Sequence, residues 1–519
     1  MNLRAEPSRR LSVRDLIAGI SVTLILIPQS MAYAELAGLP SQHGLYAAAL
    51  PPIAAAFFAS SAYLQTGPVA LTALLTLGAL TPLAPPGSPE FVGLAAVLAV
   101  VVGVVRVAVG MLRVGWLSYL MSTPMMSGFT SAAAILILSS QLPGAFGSAA
   151  PDGSVLMRAV WAVTHPDSWN PTAVGLTAAT VALVMGGRRI HPLVPGVLIA
   201  AGGGLAFSIL TGYQGDTVGV VRGGAPPVSI DLPWSSLPVL LLPGVVIALI
   251  GFAEAASISR VFATEDRQRW DADREFLSQG VANIAAGFSG GFPVGGSFSR
   301  SSANRMAGAK TRWSGLVTGM GVLLFLPFAA VLAPMPRAVL AGIVIAAVAS
   351  LFRPKELLEV WSISRPQAAV GWTTFTLTLL LAPHVEQAVV LGMALAGAVH
   401  LWRELTPEIA SRRVDATLYL EPEGVLWFGS APALEDLLLK NLASHADIDT
   451  VVLRCGGLGR IDLTGMYGLR ELVDQVRGAG LAIRIESVPQ HARRLFGRLD
   501  LGLEEEPQGS GVFVEPQAS

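Results

Sequence analysis

The chain has a single cysteine, Cys455, among 519 residues, so no disulfide can form within it. It has no Cys/His cluster spaced for structural zinc and no Gly-x-x-x-x-Gly-Lys loop to cradle a nucleotide. No nucleophile–base pair or metal set is present either. An enzyme, a metal site and a bound cofactor are therefore not expected, nor is a nucleic-acid partner. Work driven by nucleotide hydrolysis is excluded as well, which leaves an ion gradient, H+ or Na+, or exchange as the energy source for any transport. Charge is also scarce: Asp, Glu, Lys and Arg make up 13% of the residues, about half the ~25% of soluble domains.

What fills the sequence instead is apolar: 52% of the residues are hydrophobic, which points to a chain embedded in the lipid bilayer. Fourteen apolar runs recur with short breaks, at 15–37, 43–60, 66–81, 91–111, 117–139, 172–186, 193–211, 236–258, 274–289, 297–309, 313–332, 338–352, 367–382 and 385–403. Several fall short of the ~20 residues a full crossing needs, so hydropathy alone allows about ten to fourteen spans. The first run follows a basic segment, 1–14, but is too long for the core of a signal peptide and is read as a span.

The placement of charge selects fourteen. With the N-terminus inside, the inner loops hold Arg113, Arg188, Arg189, the group from Arg260 to Arg274, Arg305, Lys310, Arg312, Arg353, Lys355, Arg365 and Arg403. The outer loops hold only Arg158, Arg222 and Arg337. That is the positive-inside pattern. It predicts a multi-pass protein of the cell (inner) membrane with both termini cytoplasmic. The outer stretches 141–171 and 212–235, rich in Gly, Pro and Asp, are expected to be long loops.

From Arg412 the texture becomes that of a soluble domain. Strands are expected at 417–420 and 424–428, joined by a Pro-Glu-Gly turn, and again at 450–455 and 481–485. Helices are expected over 432–442, over 464–477 with Gly478 past its end, and over 490–499. Alternation of this kind over about 100 residues is a small α/β domain.

Two segments read as broken helices, third in each set of seven spans: Gln65-Thr66-Gly67-Pro68-Val69-Ala70-Leu71-Thr72, and the run from Gly290 to Ser302. Such interruptions in matching places are the sequence mark of an inverted-repeat transporter with a site at the bilayer midplane. A helix N-terminus carries unpaired N–H groups and about half a positive charge. Two such ends facing each other can hold an anion. Ser297, Ser299, Ser301 and Thr66 add hydroxyl donors, and Arg300 a full charge. The competing view of Arg300 is a side chain snorkelling to a membrane surface. Glu35 and Glu254, acids in the first span of each half, are candidates for proton or cation coupling; an interfacial place for Glu35 and a structural partner for Glu254 compete with that. Gln29 and Tyr33 lie one turn apart and are placed to line one cavity, or to pack between helices. Arg106 is taken as structural. His43 and His384 sit at turns without a metal-ligand pattern.

The run Pro28-Gln29-Ser30-Met31-Ala32-Tyr33-Ala34-Glu35-Leu36-Ala37-Gly38-Leu39-Pro40 with Gly44-Leu45-Tyr46 resembles the signature of the sulfate permease (SulP) family, whose animal members form solute carrier family 26. The run Gly291 to Ser301, with Asn304 and Ala307 to Thr311, is similar to that family's motif in the tenth span. The resemblance covers the chain from about residue 12 to the last expected helix of the tail, which itself resembles a STAS domain. It implies an α-helical membrane domain at 15–405 with fourteen segments in two inverted repeats of seven, and a cytoplasmic α/β STAS domain at 412–519. It further implies a core (spans 1–4 and 8–11) that moves like an elevator against a gate (spans 5–7 and 12–14), and a homodimer. Carried over to this sequence, the anion meets Gln29, Tyr33, Val69, Ala70, Ser297, Phe298, Ser299 and Arg300, and Glu254 falls at a coupling position. In the tail, Asp462-Leu463-Thr464-Gly465 matches the Asp-x-Ser/Thr-Gly of soluble anti-sigma antagonists, where Thr464 is either a phosphorylatable hydroxyl or simply the helix cap.

The expected function is secondary active transport of a small anion, most simply sulfate by H+ or Na+ symport. Hydrogen carbonate or a dicarboxylate such as fumarate, passive conduction or exchange, and a sensor whose STAS domain meets a cytoplasmic partner remain alternatives.

Overall fold

The structure, a computed structural model, describes residues 11–119, 121–190, 194–405, 407, 409–427, 429–489, 493 and 496. The chain divides after Ala396 into two compact units. The first is helical: α1 (Val13–Leu36), α2 (Gln42–Phe58), β1 (Thr66–Gly67), α3 (Ala70–Leu80), α4 (Pro89–Met111), α5 (Thr123–Phe146), α6 (Val155–Thr164), α7 (Pro171–Ile190) and α8 (Gly196–Thr211). The same order then recurs as α9 (Leu237–Glu265), α10 (Ala272–Phe288), β2 (Gly295–Gly296), α11 (Phe298–Met306), α12 (Trp313–Phe325), α13 (Arg337–Val348), α14 (Pro354–Ile363), α15 (Arg365–Leu380) and α16 (Val385–Leu405). Even the short sixth helix repeats, with 10 residues in each half.

Neither short helix was legible as an apolar run. The expected outer loop at 141–171 holds α6 and the end of α5, which continues past 139 to Phe146 and closes on Gly147 in the left-handed conformation (φ 62°). The basic connection around Arg353 to Arg365 holds α14. Both helices bury only one face, Ala159 and Ala162 in α6 and Leu357 in α14. Their composition is therefore mixed, and a hydropathy window passes over them. Among the described residues, six helices are long and apolar enough to cross a membrane on their own. The remaining spans are shorter helices, two of them completed by the extended residues of β1 and β2.

Helices α1–α4 pack with α9–α12, with α10 against α4 and α2, and α12 against α2; α5–α8 pack with α13–α15. Small residues make the core bundle tight. A β-carbon on Gly103 of α4 would stand 2.7 Å from the carbonyl of Gly280 on α10. Backbones can approach this closely only where side chains are absent, the usual device of helix pairs in lipid. Large apolar side chains such as Leu210, Leu324, Phe328 and Leu380 face outward, as on a surface solvated by acyl chains.

Helix starts follow local chemistry. Ser12 and Asp15 form a capping box at α1, and Asp15 also accepts from the amides of Lys310 (2.7 Å) and Thr311 (2.8 Å), which ties α1 to the turn after α11. Ser88 and Ser122 cap α4 and α5, each with a proline in the first turn.

The second unit contains β3 (Ile409–Val414), β4 (Thr417–Pro422), β5 (Gly424–Leu426), α17 (Ala431–Ser444), β6 (Thr450–Arg454), β7 (Leu458–Ile461), α18 (Leu463–Gly478) and β8 (Ala482–Glu486). Its main sheet has the order β3-β4-β6-β8, antiparallel between β3 and β4 and parallel beyond. The two strands expected on either side of Pro422-Glu423-Gly424 are present as β4 and β5 but do not pair with each other. β5 leaves the sheet and pairs in parallel with β7, because Gly424 takes a positive φ (91°) that turns the strand away from β4. Leu418, Leu420, Val451 and Leu453 form the core with Leu434 and Leu438 of α17 and Leu469, Leu472 and Val476 of α18. Helix α18 runs one residue further at each end than expected, from Leu463 to Gly478. Of the helix expected over 490–499, only Arg493 and Phe496 belong to the described residues.

Candidate functional site

Both broken helices converge on one point. β1 and β2 pair antiparallel, Thr66 opposite Gly296 and Gly67 opposite Gly295, and the Ser297 amide extends the ladder by donating to the Gln65 carbonyl at 3.1 Å. Antiparallel pairing sends α3 away from one end of this ladder and α11 away from the other, so the two helix N-termini face the crossing. Helix α3 starts behind Val69, in extended conformation, with no side-chain cap on its first amides. Helix α11 starts behind Ser297, whose hydroxyl accepts from the Arg300 amide. Glycine is required at 296, where a β-carbon would stand 2.7 Å from Leu64 Cδ1 and 3.0 Å from Ala255 Cβ.

Helix α10 holds the crossing from behind. Glu275, Gln279 and Asn283 are spaced by four along one face, and all are 0% exposed. Glu275 Oε2 accepts from the amides of Ser60 (3.1 Å) and Ser61 (2.8 Å). Gln279 Nε2 donates to Thr66 Oγ1 at 2.7 Å. Asn283 accepts from the Val294 amide at 2.9 Å and donates to the Val294 carbonyl at 3.0 Å. Glu275 and Asn283 thus satisfy irregular backbone that would otherwise be unbonded in the membrane, and Gln279 holds the Thr66 side chain at the start of β1. The spacing of four, Glu275, Gln279 and Asn283, is the signal in the sequence that marks this face of α10.

In front of the crossing lies a cavity of about 330 Å³. Gln29, Tyr33, Val69, Ala70, Glu254, Ser297, Phe298 and Ser299 all line it, with Ser302 of the next turn as an addition. The opposite wall is apolar, formed by Val184, Val194, Val197, Ala347, Val348 and Leu351. The cavity therefore has one polar face, carried by α1, α3, α9 and α11, and one greasy face carried by the other bundle.

Arg300 stands behind this lining. It is 1% exposed, and Nε, Nη1 and Nη2 all lack a hydrogen-bond partner. Its Nη2 lies 3.5 Å from where a β-carbon of Gly67 would be, so the guanidinium reaches across α11 to the other break. Gln29 Oε1 is likewise buried without a partner. No carboxylate lies within 4.0 Å of Arg300 among the described residues, Glu254 included. Buried polar groups are ordinarily bonded, and Arg300 feels the longer-range attraction of Glu254; a buried cation without a hydrogen-bonded partner is costly, and this arrangement fits a ligand of negative charge.

Glu35 is not part of this assembly. It accepts from Ser41 Oγ at 2.8 Å and lies 3.8 Å from Arg337 Nε, at the far end of α1. In the tail, the cap of α18 is Asp462, which accepts from the Gly465 amide at 2.6 Å, and not Thr464. Thr464 is exposed and donates to Asp462 Oδ1 at 2.9 Å. A phosphoryl group there would gain from the helix N-terminus and be opposed by the Asp462 carboxylate.

The sequence matches the sulfate permease family over residues 13–374 and a STAS domain over 408–507. Probable sulfate transporter 4.2 of Arabidopsis thaliana is 30% identical over 91% of this chain and 76% of its own. The sodium-independent sulfate anion transporter of Bos taurus is 30% identical over 92% and 84%. Among solved structures, murine Solute Carrier 26 family member A9, an anion transporter in the inward-facing state, superposes with a TM-score of 0.84 at 19% identity, covering 96% of this chain and 89% of that one. The transmembrane domain of the cyanobacterial bicarbonate transporter BicA gives 0.64 at 25% identity, over 73% and 97%.

Proposed function

Given that this chain belongs to the sulfate permease family, and so is a membrane anion transporter rather than an enzyme, we propose that it carries a small oxyanion, sulfate first, by secondary active symport with H+ or Na+. The observation that carries this is the Arg300 guanidinium, fully buried and unbonded beside two opposed helix N-termini. The anion sits in the cavity before that crossing. Val69, Ala70, Ser297 and Ser299 present backbone and hydroxyl donors, Gln29 and Tyr33 add polar contacts from α1, Phe298 bounds the site, and Arg300 supplies charge from behind. Glu254 faces the same cavity, and binding of a cation or proton there removes its repulsion of the anion, which couples the two. Glu35, engaged with Ser41 and Arg337, takes no part in that coupling.

The division of the cavity between a polar and an apolar wall supports elevator movement. The bundle α1–α4 with α9–α12 slides as a body, carrying every polar contact with it, past an apolar face that offers the anion nothing to hold. Both termini lie in the cytoplasm by the distribution of arginine and lysine. Two copies associate, and the STAS domain takes a cytoplasmic partner through the exposed first turn of α18. Hydrogen carbonate is the second substrate to test, favoured by the likeness to BicA.

Proteoliposome uptake of labelled sulfate and hydrogen carbonate, with and without inward proton or sodium gradients, tests the proposal. Gradient-driven accumulation of one anion supports symport and names its partner ion. Equilibration without accumulation would leave a passive pathway, and no uptake by folded protein would end the transport proposal.

A further inference from the structure

A second guanidinium is buried in the same bundle. Arg106 of α4 is 0% exposed. Its Nε donates to the Ala248 carbonyl at 3.0 Å, Nη1 to the Val294 carbonyl at 3.0 Å and Nη2 to the Ile247 carbonyl at 3.3 Å. All three acceptors are neutral, and among the described residues no carboxylate lies within 4.0 Å of it. The carbonyl dipoles solvate its charge and do not cancel it. Tying α4 to α9 would need only a neutral donor such as an amide, without the burden of a buried ion. The charge itself therefore asks for an explanation.

Its position supplies one. Val294 leads straight into β2 and then into the cap of α11. Gly251 stands one turn before Glu254 on α9, and a β-carbon at 251 would lie 2.5 Å from Arg106 Nη2 and 3.1 Å from Thr72 Cγ2. Glycine at 251 admits the guanidinium, and Thr72 belongs to the first turn of α3. Arg106 is thus wedged between the two helix ends from behind, about 10 Å from the cap of α11 if the three residues from Val294 to Ser297 are extended.

We propose that Arg106 is a standing positive charge for the transported anion, acting through its field without contact and favouring doubly over singly charged anions. This rests on the cavity being the anion site. At about 10 Å and an effective dielectric constant of about 20, one unit charge changes the affinity for a singly charged anion roughly 15-fold. For a doubly charged anion the effect is the square, roughly 200-fold.

The test is the affinity of the full chain for sulfate and for hydrogen carbonate at one ionic strength, read from the anion dependence of thermal stabilisation, in Arg106→Gln and Arg106→Lys. Loss of charge in Arg106→Gln should weaken sulfate by about the square of its effect on hydrogen carbonate, while Arg106→Lys keeps both within a few-fold. Equal losses for the two anions, or none, would overturn the proposal and leave Arg106 a structural tie. If Arg106→Gln does not unfold cooperatively, Arg106→Lys decides alone: retained sulfate affinity supports a role for charge, and a hundredfold loss with the charge kept overturns it. Should the unmodified protein bind neither anion, the cavity assignment fails, and this inference with it.

Discussion

Replacing Arg300 by methionine should make the anion-free protein more stable and useless for transport. The guanidinium is 1% exposed and none of its three nitrogens has a hydrogen-bond partner, so the substitution breaks no hydrogen bond; the attraction it loses, to the buried Glu254 carboxylate beyond 4.0 Å, is absent when Glu254 is protonated. It does remove a charge whose placement at bilayer depth costs at least about 2.5–3.5 kcal/mol on insertion scales. Methionine is unbranched and adaptable and fills much of the same space, so the packing loss is small, within about 1.5 kcal/mol. The net expectation is a gain of roughly 1–2 kcal/mol, an upward shift of a few degrees in the thermal midpoint. Sulfate should raise the midpoint of the unmodified protein and leave that of the variant unchanged, because the charge that attracts the anion is gone. The assay is thermal unfolding of purified protein in detergent, with and without sulfate, alongside proteoliposome uptake. A lower anion-free midpoint would mean that Arg300 has a structural partner. Undiminished uptake would remove it from the anion site.

Four further outcomes are expected. Glu254→Gln should abolish dependence on the driving ion while anion exchange across the liposome membrane continues; unchanged gradient dependence would place coupling elsewhere. Gly296→Ala should reduce the maximal rate more than tenfold and destabilise the protein by about 1–3 kcal/mol, since its β-carbon would meet Leu64 Cδ1 at 2.7 Å and Ala255 Cβ at 3.0 Å; uptake at the original rate would show that the crossing tolerates widening. Asp462→Ala removes the cap of α18 and should lower the stability of the tail domain by about 1 kcal/mol, seen as faster amide exchange in the first turn of that helix and no change in α17. Cys455 is fully buried, and burial pushes its thiol up to about 12. Iodoacetamide should therefore leave the folded chain unlabelled at pH 8 and react only as the pH nears that value or the domain unfolds; rapid labelling at pH 8 would show an open tail domain.

The membrane class, the alternation of the tail and the two breaks were legible because each is written in local composition. A run of apolar residues, a Pro-Gly interruption or a change in charge density does not depend on what lies opposite it. The breaks at 65–72 and 290–302 also announced the site, since Gly-rich backbone at membrane depth must line something polar. Seven lining residues followed from their neighbourhood in sequence or from family likeness, and Glu254 from its isolation as an acid among apolar residues.

What only the tertiary structure decided concerns partners distant in the chain. Glu35 and Glu254 read alike in sequence, yet Glu35 meets Ser41 and Arg337 while Glu254 faces the cavity. Arg106, read as structural, and Arg300, read as the charge for the anion, are both buried, and only packing shows that Arg106 is bonded to three carbonyls and Arg300 to none. Gly424 sent β5 to β7, a pairing set by a strand more than thirty residues on. The order of residues determined that two helix ends and an arginine beside one of them would lie at membrane depth. Packing alone determined which charges were satisfied there, because in a medium without water a charged group is answered only by whatever the fold brings against it.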